Sequence, residues 1–468
     1  MTAEGKVGRN FLALGTGEAV ARVIAFAATV YLARTLGAAM YGVIGVATAI
    51  RLYFLSLVEG GVDSIGVREI AADPGRIPVL APALLAARAL VAGVLVILLG
   101  VVALVALPQP DGAVLAVYGL TLLPAALSAR WVLLGRSEAQ PVGLARVLGE
   151  AVTTLAVFFL VRDVGGVARV PLAQFVGDLL AALFLAAWLA REGAALAVRW
   201  NPVAALPVLR KSWPLALHAL LGLIIFNSDF IFLRAFRDRS QVGYYAAAYT
   251  LISFLLNLGV AYYQSLLPAM TRLKATPAYL REMFDTAMAH AFVAGLPVAV
   301  GGALLAGLII RVVFGPTYHP GALALMILIV SVPVSFFRNV AQAALVAVDR
   351  QDAILRTSVI AAGINLTLNA LLVPRFGIPG AASATLATEC ARTIITLGFA
   401  SQCGMGWHWL TRLWRPVVSA ALMGIVLRLY QPGSVWIGVP LGAMCYGLGL
   451  ISLGGLRLRR GAPPVLVV

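Results

Sequence analysis

The sequence has little charge. Of its 468 residues, 12% are Asp, Glu, Lys or Arg and 61% are hydrophobic, and the mean hydropathy is +0.96. A soluble domain carries about 25% charged residues, so a water-soluble fold of this length could not cover its surface. Cysteine is scarce. Cys390, Cys403 and Cys445 have no metal-ligand spacing and no CxxC pair, which argues against a disulfide framework or a thiolate metal site. They read as small apolar helix residues. His218 has no second ligand in view, so no metal and no cofactor are expected. Walker A, HExxH and Ser/His/Asp patterns are missing, so the chain reads as neither an ATPase nor a hydrolase, and no catalytic residue is assigned. No cleavable signal peptide is expected, because Met1–Asn10 is short and polar and the first apolar stretch is too long for an h-region.

What is present is a series of long apolar runs, such as Val91–Leu107 with its flanks. A transmembrane helix needs about 20 apolar residues, whereas barrel strands alternate over about ten. The runs are continuous, so helices are expected. Spans fall near 10–33, 40–66, 78–107, 112–134, 142–161, 168–190, 210–235, 242–270, 283–313, 320–347, 352–373, 379–402, 413–430 and 435–456. The fold class is all-α: a polytopic membrane helix bundle of about fourteen transmembrane helices. The longest polar-leaning link is Arg191–Lys211, and no soluble domain is inserted. The net charge of +16 therefore does not point to nucleic acid. With this count, Lys and Arg fall more than twice as often on the side that holds both termini. That bias predicts both termini in the cytoplasm.

An internal repeat is visible. Val161–Asp178 and Val373–Glu389 each follow an apolar span, and each span follows a polar turn (Gly135–Ala139 and Val348–Asp352). Both stretches leave a carboxylate, Asp178 or Glu389, deep in the next helix. Tyr31–Gly45 similarly echoes Ile231–Ala246. The repeat predicts two pseudo-symmetric six-helix lobes, 1–200 and 201–405, and two extra helices over 406–468, as in parallel-repeat transporters.

Ionisable side chains inside a membrane are costly and usually face an interior or a cavity. The candidates of this kind are Glu18, Arg22, Arg51, Glu59, Asp63, Glu150, Asp178, Asp229, Arg338 and Glu389. Arg22, Arg51 and Arg338 are the expected anion ligands, because guanidinium stays charged in low dielectric and grips phosphate bidentately. Asn227, Gln264, Asn339 and Gln342 are polar enough to join them around a headgroup. The acids Glu18, Glu59, Asp63, Glu150, Asp178, Asp229 and Glu389 are candidates for ion coupling or for balancing the arginines. Asn365 and Asn369 read as interhelical hydrogen-bond donors and acceptors.

At this point several motifs resemble a known family. Asn10-Phe11, Arg22, Tyr31-Leu32-Ala33-Arg34-Thr35-Leu36-Gly37-Ala38 and Tyr41-Gly42 resemble the start of the Wzx-like polysaccharide flippases of the MATE/MOP transporter superfamily. Asn227-Ser228-Asp229 with Val242–Ala248, and Ile364–Leu366, Asn369 and Val373–Ala382, resemble stretches of their second lobe. The resemblance implies a V-shaped two-lobe bundle, a cationic central cavity and rocker-switch alternating access. It implies transport of an undecaprenyl-pyrophosphate-linked oligosaccharide across the inner membrane, by a monomer working beside a polymerase and glycosyltransferases. Two related readings stay open. Murein-precursor flippases share Arg22–Phe26, but they usually carry a further arginine where this chain has Ala27-Ala28-Thr29. Drug/cation antiporters use an acidic first-lobe site, for which Glu18 and Asp63 are available. A membrane glycosyltransferase or polymerase would need a large extramembrane loop, and none is seen.

Overall fold

The structure is a computed structural model that describes residues 3–193, 201–457 and 465–466. Nearly all of the described residues are helical. Where water cannot solvate the backbone, a helix pairs its amides within one segment. The helices are α1 (Ala3–Glu59), α2 (Val62–Ala72), α3 (Ile77–Ala106), α4 (Asp111–Leu120), α5 (Leu122–Leu127), α6 (Arg130–Gly135), α7 (Ala139–Leu160), α8 (Arg169–Arg191), α9 (Pro202–Phe236), α10 (Arg239–Arg272), α11 (Pro277–Phe314), α12 (Ala322–Leu328), α13 (Ser331–Ala347), α14 (Gln351–Phe376), α15 (Ile378–Gln402), α16 (Trp414–Tyr430) and α17 (Val435–Ser452). Among the described residues, the only strands are Leu456–Arg457 and Val465–Leu466, a two-residue antiparallel pair.

Eleven segments among the described residues are long and apolar enough to cross a membrane. The first, Leu14–Ala72, holds 59 residues and is interrupted at Gly37 (φ 70, ψ 171), so it covers both of the first two expected spans. A positive φ of this kind is open to glycine at little cost. α15 and α16 lie along the expected twelfth and thirteenth spans. The expected link Arg191–Lys211 lies partly outside the described residues, and from Pro202 onward it is helical.

Two expected spans are broken. The fourth is divided into α4, α5 and α6, and the tenth into α12 and α13. The first break of the fourth span, at Thr121, and the break of the tenth, at Ile329–Val330, lie just ahead of a proline, Pro124 or Pro333; the second break of the fourth span, at Ser128–Ala129, does not. Proline lacks the amide that would continue the ladder and crowds the carbonyl four residues back.

The contacts divide the chain into two compact units, Met1–Leu223 and Ile224–Val468, and the division falls inside α9. In the first unit, two apolar clusters form the core. One gathers Leu32, Ile44, Ala92, Leu115, Val157 and Val170. The other gathers Ile70, Leu80, Leu84, Trp131, Val142 and Leu185. On α3, α7 and α8, Arg88, Arg146, Glu150 and Asp178 fall in sequence between these two sets. In the second unit, Phe284, Met288, Val340, Leu345 and Leu397 form one cluster. α16 and α17 pack on α11 through Val293, Met423, Leu427 and Tyr446, and the Tyr446 hydroxyl donates to the Val293 carbonyl at 3.0 Å.

Local geometry repeats between the units. Ser137 (φ 61) and Asp349 (φ 59) are both left-handed, and each sits in one of the two polar turns. The ends of the helices that follow are also held alike. In the first unit the Tyr31 hydroxyl donates to Val161 O at 2.8 Å. In the second, Arg237 Nη2 donates to Val373 O at 3.4 Å and Pro374 O at 2.8 Å.

Candidate functional site

A charged layer is built inside the first unit. Arg51 on α1 sends Nη2 to Asp178 Oδ2 on α8 at 2.8 Å. Its Nε donates to Thr121 Oγ1 at 2.5 Å, and Thr121 is the residue at the α4–α5 break. Gln174, one turn ahead of Asp178, donates to the other carboxylate oxygen at 2.9 Å. The approach of α8 to α7 depends on small residues. A Cβ on Gly177 would lie 2.0 Å from Thr153 Oγ1 and 2.5 Å from Gly149 O.

Arg88, buried in α3, reaches Asp63 Oδ1 at 3.1 Å and the Ala125 carbonyl at 2.8 Å. The broken fourth span thus supplies polar groups to two arginines. On the other side runs an alternating ladder. Arg22 pairs with Glu18 at 2.7 Å, Glu18 with Arg146 at 3.5 Å, and Arg146 with Glu150 at 3.0 Å.

These groups line one cavity of about 380 Å³ within the unit. Its walls carry Arg51, Arg88, Arg130 and Arg146 together with Glu18, Glu59, Asp63, Glu150 and Asp178. Five carboxylates therefore face four arginines, and the cavity inside this unit is not cationic. Arg22 is not in its wall, but its partner Glu18 is.

The second unit holds two separate polar clusters. Glu389 on α15 is fully buried and accepts from Ser335 Oγ at 2.7 Å, Arg338 Nε at 3.2 Å and Arg392 Nη1 at 3.4 Å. Arg338 also donates to Gln342 Oε1 at 2.9 Å. Arg338 is thus locked in a buried ion network. Its neighbour Asn339 is buried as well, and a Cβ on Gly259 of α10 would lie 2.8 Å from its Nδ2.

The other cluster surrounds Asp229 on α9, which is fully buried. Its carboxylate accepts from the hydroxyls of Tyr245 and Thr385, and from Asn369 Nδ2 at 2.6 Å. Asn365 accepts from Ser228 Oγ at 2.6 Å. The two asparagines thus link helices, as their sequence positions suggest. Asp229 makes no ion pair among the described residues. Asn227 is buried nearby in sequence, while Gln264 is exposed on α10.

The structure therefore brings Glu18, Arg51, Glu59, Asp63, Glu150 and Asp178 to one cavity wall, gathers Arg338, Gln342 and Glu389, and leaves Asp229 in its own network. Arg88, Arg130 and Arg146 were not among the expected site residues. Arg88 had a usable signal, a lone arginine in the apolar run Ile77–Ala106. Arg146 had another, its i, i+4 spacing to Glu150. Thr121 and Thr385 carry no sequence signal, because their partners lie 70 and 156 residues away along the chain; Tyr245 had one, since it lies in the Val242–Ala248 stretch that follows Asn227–Asp229.

Known proteins share this architecture. The chain is 30% identical over 237 residues to the probable flippase AglR of Haloferax volcanii, covering 48% of this chain and 50% of that protein. It thus spans about half the length of that curated relative. Among solved structures, the lipid II flippase MurJ in an inward closed conformation aligns with a TM-score of 0.79 at 12% identity, over 94% of this chain and 98% of MurJ. An inward-facing multidrug resistance MATE family transporter of the MOP superfamily aligns with a TM-score of 0.66 at 16% identity, over 82% of this chain and 94% of that one. At these identities the likeness is one of fold: a polytopic helix bundle of the MurJ/MATE type. The profile of a family described as polysaccharide biosynthesis protein matches residues 7–274; that is more than half of the sequence, and the chain belongs to this family.

Proposed function

We propose that the chain is a flippase. It moves a polyprenyl-pyrophosphate-linked oligosaccharide repeat unit from the cytoplasmic to the outer leaflet, by alternating access, for surface polysaccharide biosynthesis. The observation that carries this reading is the arginine–carboxylate layer set between two apolar clusters of the first unit. A sugar-phosphate headgroup loses its hydration in hydrocarbon and cannot cross unaided. Arginines at that depth replace the water with bidentate hydrogen bonds.

The headgroup is read first by Arg22 and Arg51. The Arg22 side chain is 38% exposed and that of Arg51 13%, and each is held by a carboxylate that a phosphate can replace. Glu18 and Asp178 keep the layer neutral while the site is empty. Arg338, Asn339 and Gln342, with Asn227 and Gln264, form the second unit's share of the headgroup candidates. Arg338 takes part by exchanging Glu389 for phosphate. In this reading the protein sits in the inner membrane with both termini in the cytoplasm. It acts beside the glycosyltransferases and polymerase of its pathway.

Ion coupling is assigned to Asp229. A buried carboxylate with three hydrogen-bond donors and no cationic partner can take a proton or a small monovalent cation. The same observation favours a second reading, a cation- or proton-coupled exporter of small molecules. Complementation of a flippase-deficient strain separates the two. The flippase reading expects export of the repeat unit, lost in the R22A/R51A/R338A triple variant. Drug resistance on expression, with no rescue of export, would favour the exporter; rescue of murein synthesis alone would indicate the murein precursor.

A further inference from the structure

The cavity of the first unit holds charges that it does not pair. Of the nine charged side chains in its wall, seven are tied to one another: Arg51 to Asp178, Arg88 to Asp63, and Arg146 to Glu18 and Glu150. Glu59 and Arg130 are left over. Among the described residues neither side chain makes a hydrogen bond or an ion pair.

Local structure does not account for Glu59. It is the last residue of α1, where the helix dipole disfavours an anion. Gly60 and Gly61, both at positive φ, end the helix there. Gly61 also fixes the spot, because a Cβ on it would lie 2.6 Å from Ser212 O and 2.8 Å from Leu215 Cβ. Asp63 adds a like charge one turn on, and its own carboxylate is taken by Arg88. Glu59 feels the charges of Arg88, Arg130 and Arg51, yet it bonds to none of them.

Arg130 opens α6, behind the second break of the fourth span. Ser128 at that break is extended (φ -65, ψ 122), and Ser128 and Arg130 both line the cavity. Arg130 is exposed, and its guanidinium donors are unused.

A ligand that reaches Arg51 must displace Asp178. Arg130 has nothing to release, so it can take an anion without uncovering a carboxylate. Glu59 likewise offers two acceptor oxygens to hydroxyl donors. The uncommitted pair therefore fits a ligand that carries a phosphate beside hydroxyl groups, which is a glycosyl phosphate. At about 380 Å³ the cavity is near the small end of ligand pockets, about 300–1,000 Å³. That is room for one sugar and its phosphate, not for a whole repeat unit.

We propose that Arg130 and Glu59 form a glycosyl phosphate subsite: Arg130 holds the phosphate that bears the sugar, and Glu59 accepts from the hydroxyls of that first sugar. The assignment rests on the flippase reading for its lipid anchor. It also gives selectivity for the loaded carrier over the bare prenyl pyrophosphate, because Glu59 repels an unmasked phosphate and binds a hydroxyl.

The test uses the purified full chain in detergent, titrated with farnesyl pyrophosphate, farnesyl-pyrophosphate-linked glucose or glucose 1-phosphate, with affinity read by calorimetry. The glucosylated prenyl probe is expected to bind most tightly. R130Q should weaken both prenyl probes about tenfold, the loss of one charge-assisted contact. E59A should weaken only the glucosylated probe and leave farnesyl pyrophosphate bound as well or better. Since neither side chain has an internal bond, both variants should melt with the unaltered protein. Undiminished binding in R130Q overturns the proposal. So does an E59A protein that loses affinity for both prenyl probes or for neither. A lowered melting temperature in either variant would make its role structural and would also overturn it. If glucose 1-phosphate binds as tightly as the glucosylated prenyl probe, with the same losses in R130Q and E59A, the subsite stands and the flippase reading fails. No binding of any probe by the unaltered protein overturns both.

Discussion

Arg51 and Asp178 lie 127 residues apart in sequence and meet at 2.8 Å, joining α1 to α8 across the charged layer. The pair is partly open to the cavity, so it is neither a solvated surface bridge nor a sealed one. Removing one partner of a fully buried pair costs about 3–5 kcal/mol. Here the cavity screens part of that, and Arg51→Ala should cost about 2 kcal/mol. Export of the repeat unit should fall at least tenfold, measured by complementation at matched membrane abundance. Arg51→Lys should recover stability better than export, because an ammonium offers no bidentate fork. Wild-type export by Arg51→Ala would remove Arg51 from the site.

The Glu389 network allows a separate test of Arg338. Glu389→Ala leaves Arg338 and Arg392 without their buried partner and should cost about 3–5 kcal/mol, visible as a lower melting temperature and poor membrane yield. The triple variant R338M/E389L/R392M removes all three charges of the network, and buried ionic groups replaced by apolar ones are often neutral. It should regain stability over Glu389→Ala. A stable R338M/E389L/R392M protein with normal export would show that Arg338 serves the fold and not the headgroup.

Asp229→Asn should keep the fold. The amide can still accept from the Tyr245 and Thr385 hydroxyls, and the change in volume is small. Coupling should fail. If Asp229 holds sodium, sodium-dependent thermal stabilisation of the purified protein disappears in the variant. If it holds a proton, the pH dependence of transport flattens. Persistence of both responses in Asp229→Asn would place coupling elsewhere.

Gly177→Ala tests the packing that sets the layer. The added methyl would lie far inside contact distance of Thr153 and of the Gly149 backbone. Overpacking costs about 1–3 kcal/mol, read as a lower melting temperature. Trimming the neighbour in G177A/T153A should recover part of the loss. Because Asp178 follows Gly177 directly, export is expected to drop along with stability.

Much of the architecture is legible in the amino-acid sequence. Continuous apolar runs mark the membrane class and a count of about fourteen helices. The polar turns at Ser137 and Asp349 mark the repeat, and both prove left-handed. Two of the departures fall just ahead of prolines. The fourth and tenth spans read as unbroken, yet each is interrupted ahead of Pro124 or Pro333. The fourth span's break is what places the Thr121 hydroxyl and the Ala125 carbonyl against Arg51 and Arg88.

By itself, then, the sequence determined which segments are helices and which charges lie within them. Span length, hydropathy and turn residues act locally, through backbone pairing and transfer to lipid. Only the tertiary structure decided the partners: Asp178 for Arg51, Asp63 for Arg88, Glu389 for Arg338, and three uncharged donors for Asp229. An ion pair between helices depends on depth and rotation about each axis. Those are set by packing against neighbours distant in sequence, which no local pattern records.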